Sequence, residues 1–210
     1  CATSCSSLRS GLSGLSPRIP KFSSLPRGMV IVTRPTDSRK STTLVAITGE
    51  GNSNRQDHIL TSTDPIEFVH KRQGCIVSHR VVGTHTDSFA AALRGALRED
   101  PDIILVGEMR DLETIRLTME AASTGHLVFS TLHTSSAVKT VDRIIEVFPS
   151  EEQQQVRSTL ADGIRAVISQ VLFRRIDRPE LIVAQEIMIG TVAVRNLIRE
   201  AKTYQIASSI

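Results

Sequence analysis

The sequence predicts an α/β fold, a mainly parallel sheet covered by helices, and three observations carry that prediction. From Gly28 onward, apolar runs rich in Val and Ile alternate with segments of helical period, the pattern of strands joined by crossover helices. The core material is Ile, Leu, Val and Ala, with six Phe, one Tyr and no Trp, which suits strands buried on both faces. A chain of 210 residues holds one core of this kind and is too short for two domains with a linker.

Met29-Val30-Ile31-Val32-Thr33 reads as the first buried strand, followed by a turn and a helix that begins at Lys40-Ser41-Thr42-Thr43. Thr48-Gly49-Glu50-Gly51 is expected to interrupt that helix, since an interior glycine costs about 1 kcal/mol. Further strands are predicted at 58–62, 75–80, 102–106 and 126–131, with a later pair near 171–176 and 181–189. Between them, Phe89, Leu93, Ala96 and Leu97 share a helical face, and so do Leu112, Ile115, Met119 and Ala122. Val156, Leu160, Ile164, Val167 and Val171 continue one face and predict a helix through Val171. Right-handed crossovers would make the sheet parallel, and ligands of such sheets sit beyond the carboxyl ends of the strands.

Charge and cysteine content narrow the function classes. Of 25 basic side chains four, Arg9, Arg18, Lys21 and Arg27, fall in the first 28 residues, which hold no acid; the remaining 21 meet 22 acidic ones. The body is neutral, so the net charge of +3 is no footprint of nucleic acid. Cys1, Cys5 and Cys75 are odd in number and at no metal-ligand spacing, the expectation for a reduced cytosolic protein. No apolar run approaches the roughly 18 residues of a membrane span, so no direct membrane insertion is expected. Residues 1–27 read as a disordered or truncated remnant, and 28–210 as the folded domain.

Several constellations carry chemistry. The segment 34–43 lies after an apolar strand and before a helix, where a phosphate-binding loop sits, and it contains a Lys-Ser pair. In such loops the lysine reaches the outer phosphates and the hydroxyl meets Mg²⁺. Asp102-Ile103-Ile104-Leu105-Val106-Gly107-Glu108 ends an apolar strand in a carboxylate that would face the crevice, where it can orient water or hold a hydrated Mg²⁺. Alone, Glu108 reads first as a helix cap or surface turn, and the Lys-Ser helix start beside it turns the reading to catalysis. Asp64-Pro65-Ile66-Glu67 adds two acids to that edge, or a solvated Pro turn. His126 and His133 bracket a strand, which separates them by roughly 23 Å at standard rise, too far for one zinc ion. Arg94 and Arg98, four apart, would lie on one helix face, able to approach phosphates together or to stay solvated.

These stretches, with 92–111 (Ala92-Leu93-Arg94 through Met109-Arg110-Asp111) and Thr124-Gly125-His126 through Leu132-His133-Thr134, resemble the nucleotide-binding domain of bacterial secretion ATPases. Within that group the resemblance is to type IV pilus retraction motors of the PilT type. It implies a RecA-like P-loop NTPase core that binds ATP and Mg²⁺ at the interfaces of a homo-hexamer and converts hydrolysis into pilus retraction and twitching motility. It implies Pro35, Thr36, Ser38, Lys40, Ser41 and Thr42 around the nucleotide, with Ser41 meeting Mg²⁺. Glu108 would be the catalytic glutamate, joined by Asp64 and Glu67 of an acidic box, His126 and His133 of a histidine box, and Arg94 and Arg98 near the γ-phosphate. It further implies a cytoplasmic protein peripheral to the bacterial inner membrane, working on an inner-membrane platform protein of the pilus. A smaller amino-terminal PAS-like domain and helices beyond Ile210 belong to the family pattern.

The resemblance breaks at the phosphate loop. The family reads G-P-T-G-S-G-K-S, and the three glycines stand here as Arg34, Asp37 and Arg39. Glycine serves there because close approach to phosphate excludes a Cβ. A carboxylate about 4 Å from a phosphate adds roughly 4 kcal/mol of repulsion at an effective dielectric near 20. Thr63 also stands for the first acid of the acidic box. A second reading is therefore a non-hydrolysing structural or regulatory subunit of the same family. A third, a DNA-handling ATPase, rests on fold analogy alone.

Overall fold

Seven strands make one sheet, in the order β3-β2-β4-β5-β1-β6-β7. They are β1 (Gly28–Thr33), β2 (His58–Thr63), β3 (Ile76–Val81), β4 (Ile103–Val106), β5 (Leu127–Leu132), β6 (Ile164–Arg174) and β7 (Leu181–Ile189). All neighbours are parallel except β6 and β7, which pair antiparallel. The helices are α1 (Lys40–Asn54), α2 (Phe89–Ala96), α3 (Leu112–Thr124), α4 (Ala137–Glu146), α5 (Gln153–Gly163) and α6 (Val192–Arg199), with 3-10 turns at Pro20–Ser24 and Thr203–Ser209. The computed structural model describes residues 16–34, 40–63, 73–83, 85–174, 176 and 181–209.

Alternation along each strand divides the core in two. Met29 and Ile31 of β1 and Val128 of β5 face a cluster that includes Leu93, Met119, Val141 and Leu160 of α2 to α5. Val30, Val32, Leu127 and Phe129 face the other way, onto Leu44 and Ile47 of α1. Burial on both faces explains why β1, β4 and β5 read as unbroken apolar runs. The division also builds a crevice, because neighbouring β1 and β5 send their chains to opposite faces at the carboxyl edge.

The predicted α/β class and the parallel order are found. Three expectations are corrected. α1 runs unbroken from Lys40 to Asn54 through Gly49 and Gly51. The 3-10 turn packs on this helix, Phe22 joining Leu44 and Ile47 in one buried cluster, and that tertiary contact offsets the propensity cost. That turn belongs to the segment expected to lie outside the domain, yet Ile19 and Phe22 are core residues, and Arg55 at the end of α1 donates to Ser23 O and Leu25 O at 2.8 and 3.0 Å.

The third correction concerns the helix expected through Val171. α5 ends at Gly163, and Ile164 to Arg174 is β6. Ala166, Val167 and Ile168 form an apolar run buried on alternate faces, and pairing with both β1 and β7 selects the strand. α4 and α6 were not legible as separate helices. Their caps explain their starts: Ser136 Oγ accepts from Lys139 N–H at 3.2 Å and Thr191 Oγ1 from Val194 N–H at 3.3 Å.

Candidate active site

The carboxyl ends of β4, β5 and β1 lie side by side, and the residues that follow them form the candidate site. Glu108 comes two residues after β4, His133 directly after β5, and Arg34 directly after β1. Backbone hydrogen bonds fix this edge: Gly107 N–H donates to Ser62 O at 2.8 Å, Met109 N–H to Thr131 O at 3.1 Å, and Arg34 N–H to Leu132 O at 3.3 Å. Thr131 Oγ1 donates to Gly107 O at 2.5 Å. Asp111 then caps α3, its carboxylate accepting from Thr114 N–H and Thr114 Oγ1–H, both at 2.8 Å. Glu108 is thus held between a paired strand end and a capped helix start, with little backbone freedom.

Its carboxylate is engaged on both oxygens. Oε1 meets His133 Nε2 at 2.9 Å and Oε2 accepts from Arg110 Nε at 2.8 Å. A carboxylate partner selects the imidazole form that carries a proton on Nε2. The Glu108 side chain is 17% exposed, whereas that of Arg110 is 68% exposed. The acid is therefore recessed and its cation lies at the mouth. Glu108, Arg110, His133 and Arg143 line a cleft of about 200 Å³, and His133 and Arg143 also line a neighbouring one of about 520 Å³ with Lys139. An acid with a donor on each oxygen, beside cationic groups, is an arrangement that can orient a water near an anionic substrate.

Arg110, Arg143 and Lys139 escaped the sequence reading. Arg110 had a detectable signal, standing two residues beyond a strand-end carboxylate, but Arg143 and Lys139 lie on α4 and only the fold brings them to this edge.

The remaining expected site residues are placed differently. His126 precedes β5 at the opposite edge of the sheet, where its Nδ1 donates to Pro101 O at 2.7 Å; one chain does not bring it to Glu108. Arg94, on α2, forms an ion pair with Glu113 in the first turn of α3. Arg98 is exposed beyond the end of α2, its N–H donating to Gly95 O at 3.2 Å, so the two arginines do not continue one helical face. Pro35, Thr36, Ser38, Asp64 and Glu67 lie outside the described residues, as do the side chains of Lys40, Ser41 and Thr42, whose backbone forms the first turn of α1. Arg34, at the first glycine position of the loop, is buried. Thr43 on the next turn is described: its hydroxyl and the buried Gln170 amide of β6 are hydrogen-bonded, at 3.1 and 2.9 Å. Among the described residues no His, Cys, Asp and Glu cluster could hold a metal ion by itself, and no helix is long and apolar enough to cross a membrane.

Comparison with known proteins finds relatives along nearly the whole chain. The family model described as type II/IV secretion system protein matches residues 15–203. The chain is 56% identical over 197 residues to the type IV pilus retraction ATPase PilT of Pseudomonas aeruginosa, covering 94% of this chain and 57% of that protein. It is 56% identical over 188 residues to a twitching motility protein of Neisseria gonorrhoeae, covering 90% of this chain and 50% of that one. The chain thus spans about half the length of these relatives, 57% of one and 50% of the other. Its fold superposes with a TM-score of 0.90 on the crystal structure of the pilus retraction motor PilT with bound ADP, at 47% identity, covering 93% of this chain and 57% of that one. The ATPase DotB of Legionella pneumophila gives a TM-score of 0.86 at 32% identity, covering 99% of this chain and 56% of its own. With the family model matched along nearly its whole length and the same α/β fold, this chain belongs to the type II/IV secretion system ATPase family.

Proposed function

We propose that this chain is the ATP-binding motor domain of a pilus retraction ATPase, and that Glu108 orients the water that attacks the γ-phosphate. The observation that carries the reading is the recessed Glu108 carboxylate, held by His133 and Arg110 at the carboxyl edge next to the strand that leads into the phosphate loop. The likeness to a motor solved with ADP supports nucleotide in that crevice.

The site fits the nucleotide in kind. α1 begins with Lys40 directly after the loop, so its first N–H groups and the positive end of its dipole favour an anion there. Lys40 would take the outer phosphates and Ser41 the Mg²⁺, with Pro35, Thr36, Ser38 and Thr42 around them. The metal, when bound with ATP, neutralises phosphate charge. Glu108 accepts a hydrogen bond from the attacking water while His133 keeps the carboxylate aimed, and the cations at the mouth of the cleft stabilise charge on the transferred group. Asp64, Glu67, Arg94, Arg98 and His126 are proposed to act in the assembled homo-hexamer, where a neighbouring copy completes the site. That ring would work in the cytoplasm against a platform protein of the inner membrane.

A second reading, a non-hydrolysing subunit, is favoured by one feature: Arg34, Asp37 and Arg39 in place of loop glycines, with Arg34 buried beside the crevice. Titration with a fluorescent ATP analogue and Mg²⁺ separates the two. The motor reading expects saturable binding that Lys40→Ala abolishes and that Arg34→Gly, Asp37→Gly, Arg39→Gly strengthens, together with ATP hydrolysis. Binding only after the glycines are restored would overturn it in favour of the non-hydrolysing subunit.

A further inference from the structure

At the edge of the sheet opposite Glu108, the guanidinium groups of Arg27, Arg165 and Arg195 repel one another and outnumber the nearby acid, Asp162. Arg27 directly precedes β1, and Arg165 is the second residue of the parallel strand β6. Arg195 lies on α6, which follows β7 where its end pairs with the start of β6. Arg165 is fixed by its neighbours' carbonyls, Nε donating to Arg27 O at 3.1 Å and Nη1 to Asp162 O at 2.8 Å. With Arg27 it lines a cleft of about 330 Å³ whose other walls are Ala122, Ser123, Thr159 and Asp162. Asp162 is the acid of this cleft, and its carboxylate already pairs with Arg199.

The unmatched charge has two physical signatures. Arg195 Nε is buried with no hydrogen-bond partner among the described residues, a donor that normally has one. Burial, then the charges of Arg195 and Arg27, hold the Arg165 guanidinium below its ordinary range, against a smaller opposing effect of Asp162. A carboxylate beside Arg27 and Arg165 in the cleft relieves the repulsion on Arg165.

The cleft continues into a trough with an apolar floor and charged walls, Arg116, Glu120 and Glu152. Ser123 and Thr159 also line a groove of about 240 Å³ between α3 and α5 that contains Met119, Phe148 and Val156. The two hydroxyls donate to Met119 O and Gln155 O at 2.9 and 3.1 Å, so the remaining donors in the cleft are the guanidiniums. Arg116 lies 5.0 Å from the Phe148 ring centre and pairs with Glu152, which closes that end of the trough.

We propose that this trough docks an acidic segment of a partner protein, its carboxylates on Arg27 and Arg165 and an adjacent apolar side chain against Met119 and Phe148. Juxtaposed anionic and apolar demands within one recess fit a peptide better than a free anion, which would leave the apolar half unused. They also fit it better than a bilayer, whose phosphates present a plane. The site lies a strand's length, about 20 Å, from the nucleotide edge, so it stands or fails independently of hydrolysis at Glu108.

The test is fluorescence anisotropy of the full chain with a fluorescein-labelled peptide, Asp-Asp-Leu-Phe, and its Asn-Asn-Leu-Phe counterpart. The expected result is saturable binding of the first, at least about tenfold weaker for the second and for Arg27→Glu. The Arg27 side chain has no hydrogen bond or ion pair among the described residues, so this variant should keep its circular dichroism and melting curve; Met119→Ser adds a test of the apolar half and should also weaken binding. No saturable binding, equal affinity for both peptides, or affinity unchanged by Arg27→Glu would overturn the proposal. So would Arg27-dependent binding of inorganic phosphate or of anionic phosphatidylglycerol vesicles without binding of the acidic peptide.

Discussion

The Glu108 carboxylate and the His133 imidazole, from the ends of two neighbouring parallel strands, meet at 2.9 Å. The contact spans the strand pair β4 and β5, whose register sets Val106 opposite Ser130 and so carries both residues past the same edge. Replacing Glu108 by Gln keeps the shape and removes the charge. ATP turnover should fall by about 10²-fold or more with nucleotide affinity retained, read by phosphate release and analogue titration. Turnover at the parent rate would remove Glu108 from the catalytic role.

Arg110 holds the second oxygen of Glu108 from an exposed position. Arg110→Ala should change stability by no more than about 0.5 kcal/mol, because surface pairs contribute little. It should nevertheless lower kcat by several-fold, and Arg110→Lys should recover part of the loss. An equal effect of Lys and Ala on kcat, or a fall in the melting temperature that accounts for it, would exclude a positioning role.

The Thr43 and Gln170 pair ties the first turns of α1 to β6 inside the protein. Gln170→Leu leaves the Thr43 hydroxyl buried without this partner, and the expected cost is about 1 to 3 kcal/mol in urea unfolding. The double variant with Thr43→Val should recover a substantial part of it, because both polar groups are then gone.

Gly28 opens β1 at φ +117°, and a Cβ there would lie 2.7 Å from Gly163 O and 2.5 Å from Arg165 Cγ. Gly28→Ala should destabilise by about 2 kcal/mol or more, adding steric overlap to a backbone conformation that L residues avoid. Thermal melting reads this. Because Arg165 must move, binding of the acidic peptide should weaken as well.

His126 separates structural from assembly roles. Its bond to Pro101 O predicts that His126→Ala lowers stability by about 1 kcal/mol. Analogue affinity of the isolated chain should be unaffected, since the residue lies at the other edge of the sheet. A fall in analogue affinity at constant stability would place His126 in the nucleotide site of one chain.

The sequence by itself determined the class of fold and which polar residues stand at the ends of its central strands. Strands buried on both faces leave continuous apolar runs, so 29–33, 102–106 and 126–131 were legible within a residue or two, and Glu108 and His133 follow as the polar residues that end such runs. Tertiary structure decided what local pattern leaves degenerate. The apolar spacing of 156–171 continues a helical face into an unbroken apolar run, and only pairing of β6 with β1 and β7 resolves it; α1 runs through Gly49 and Gly51 with the turn at Pro20–Ser24 packed against its apolar face. The same holds at the sites. Which carboxylate oxygen meets which cation, that His126 lies at the edge opposite Glu108, and that Arg27 and Arg165 share a cleft follow from strand order and direction. Long-range pairing sets those, and residue spacing along the chain does not encode them.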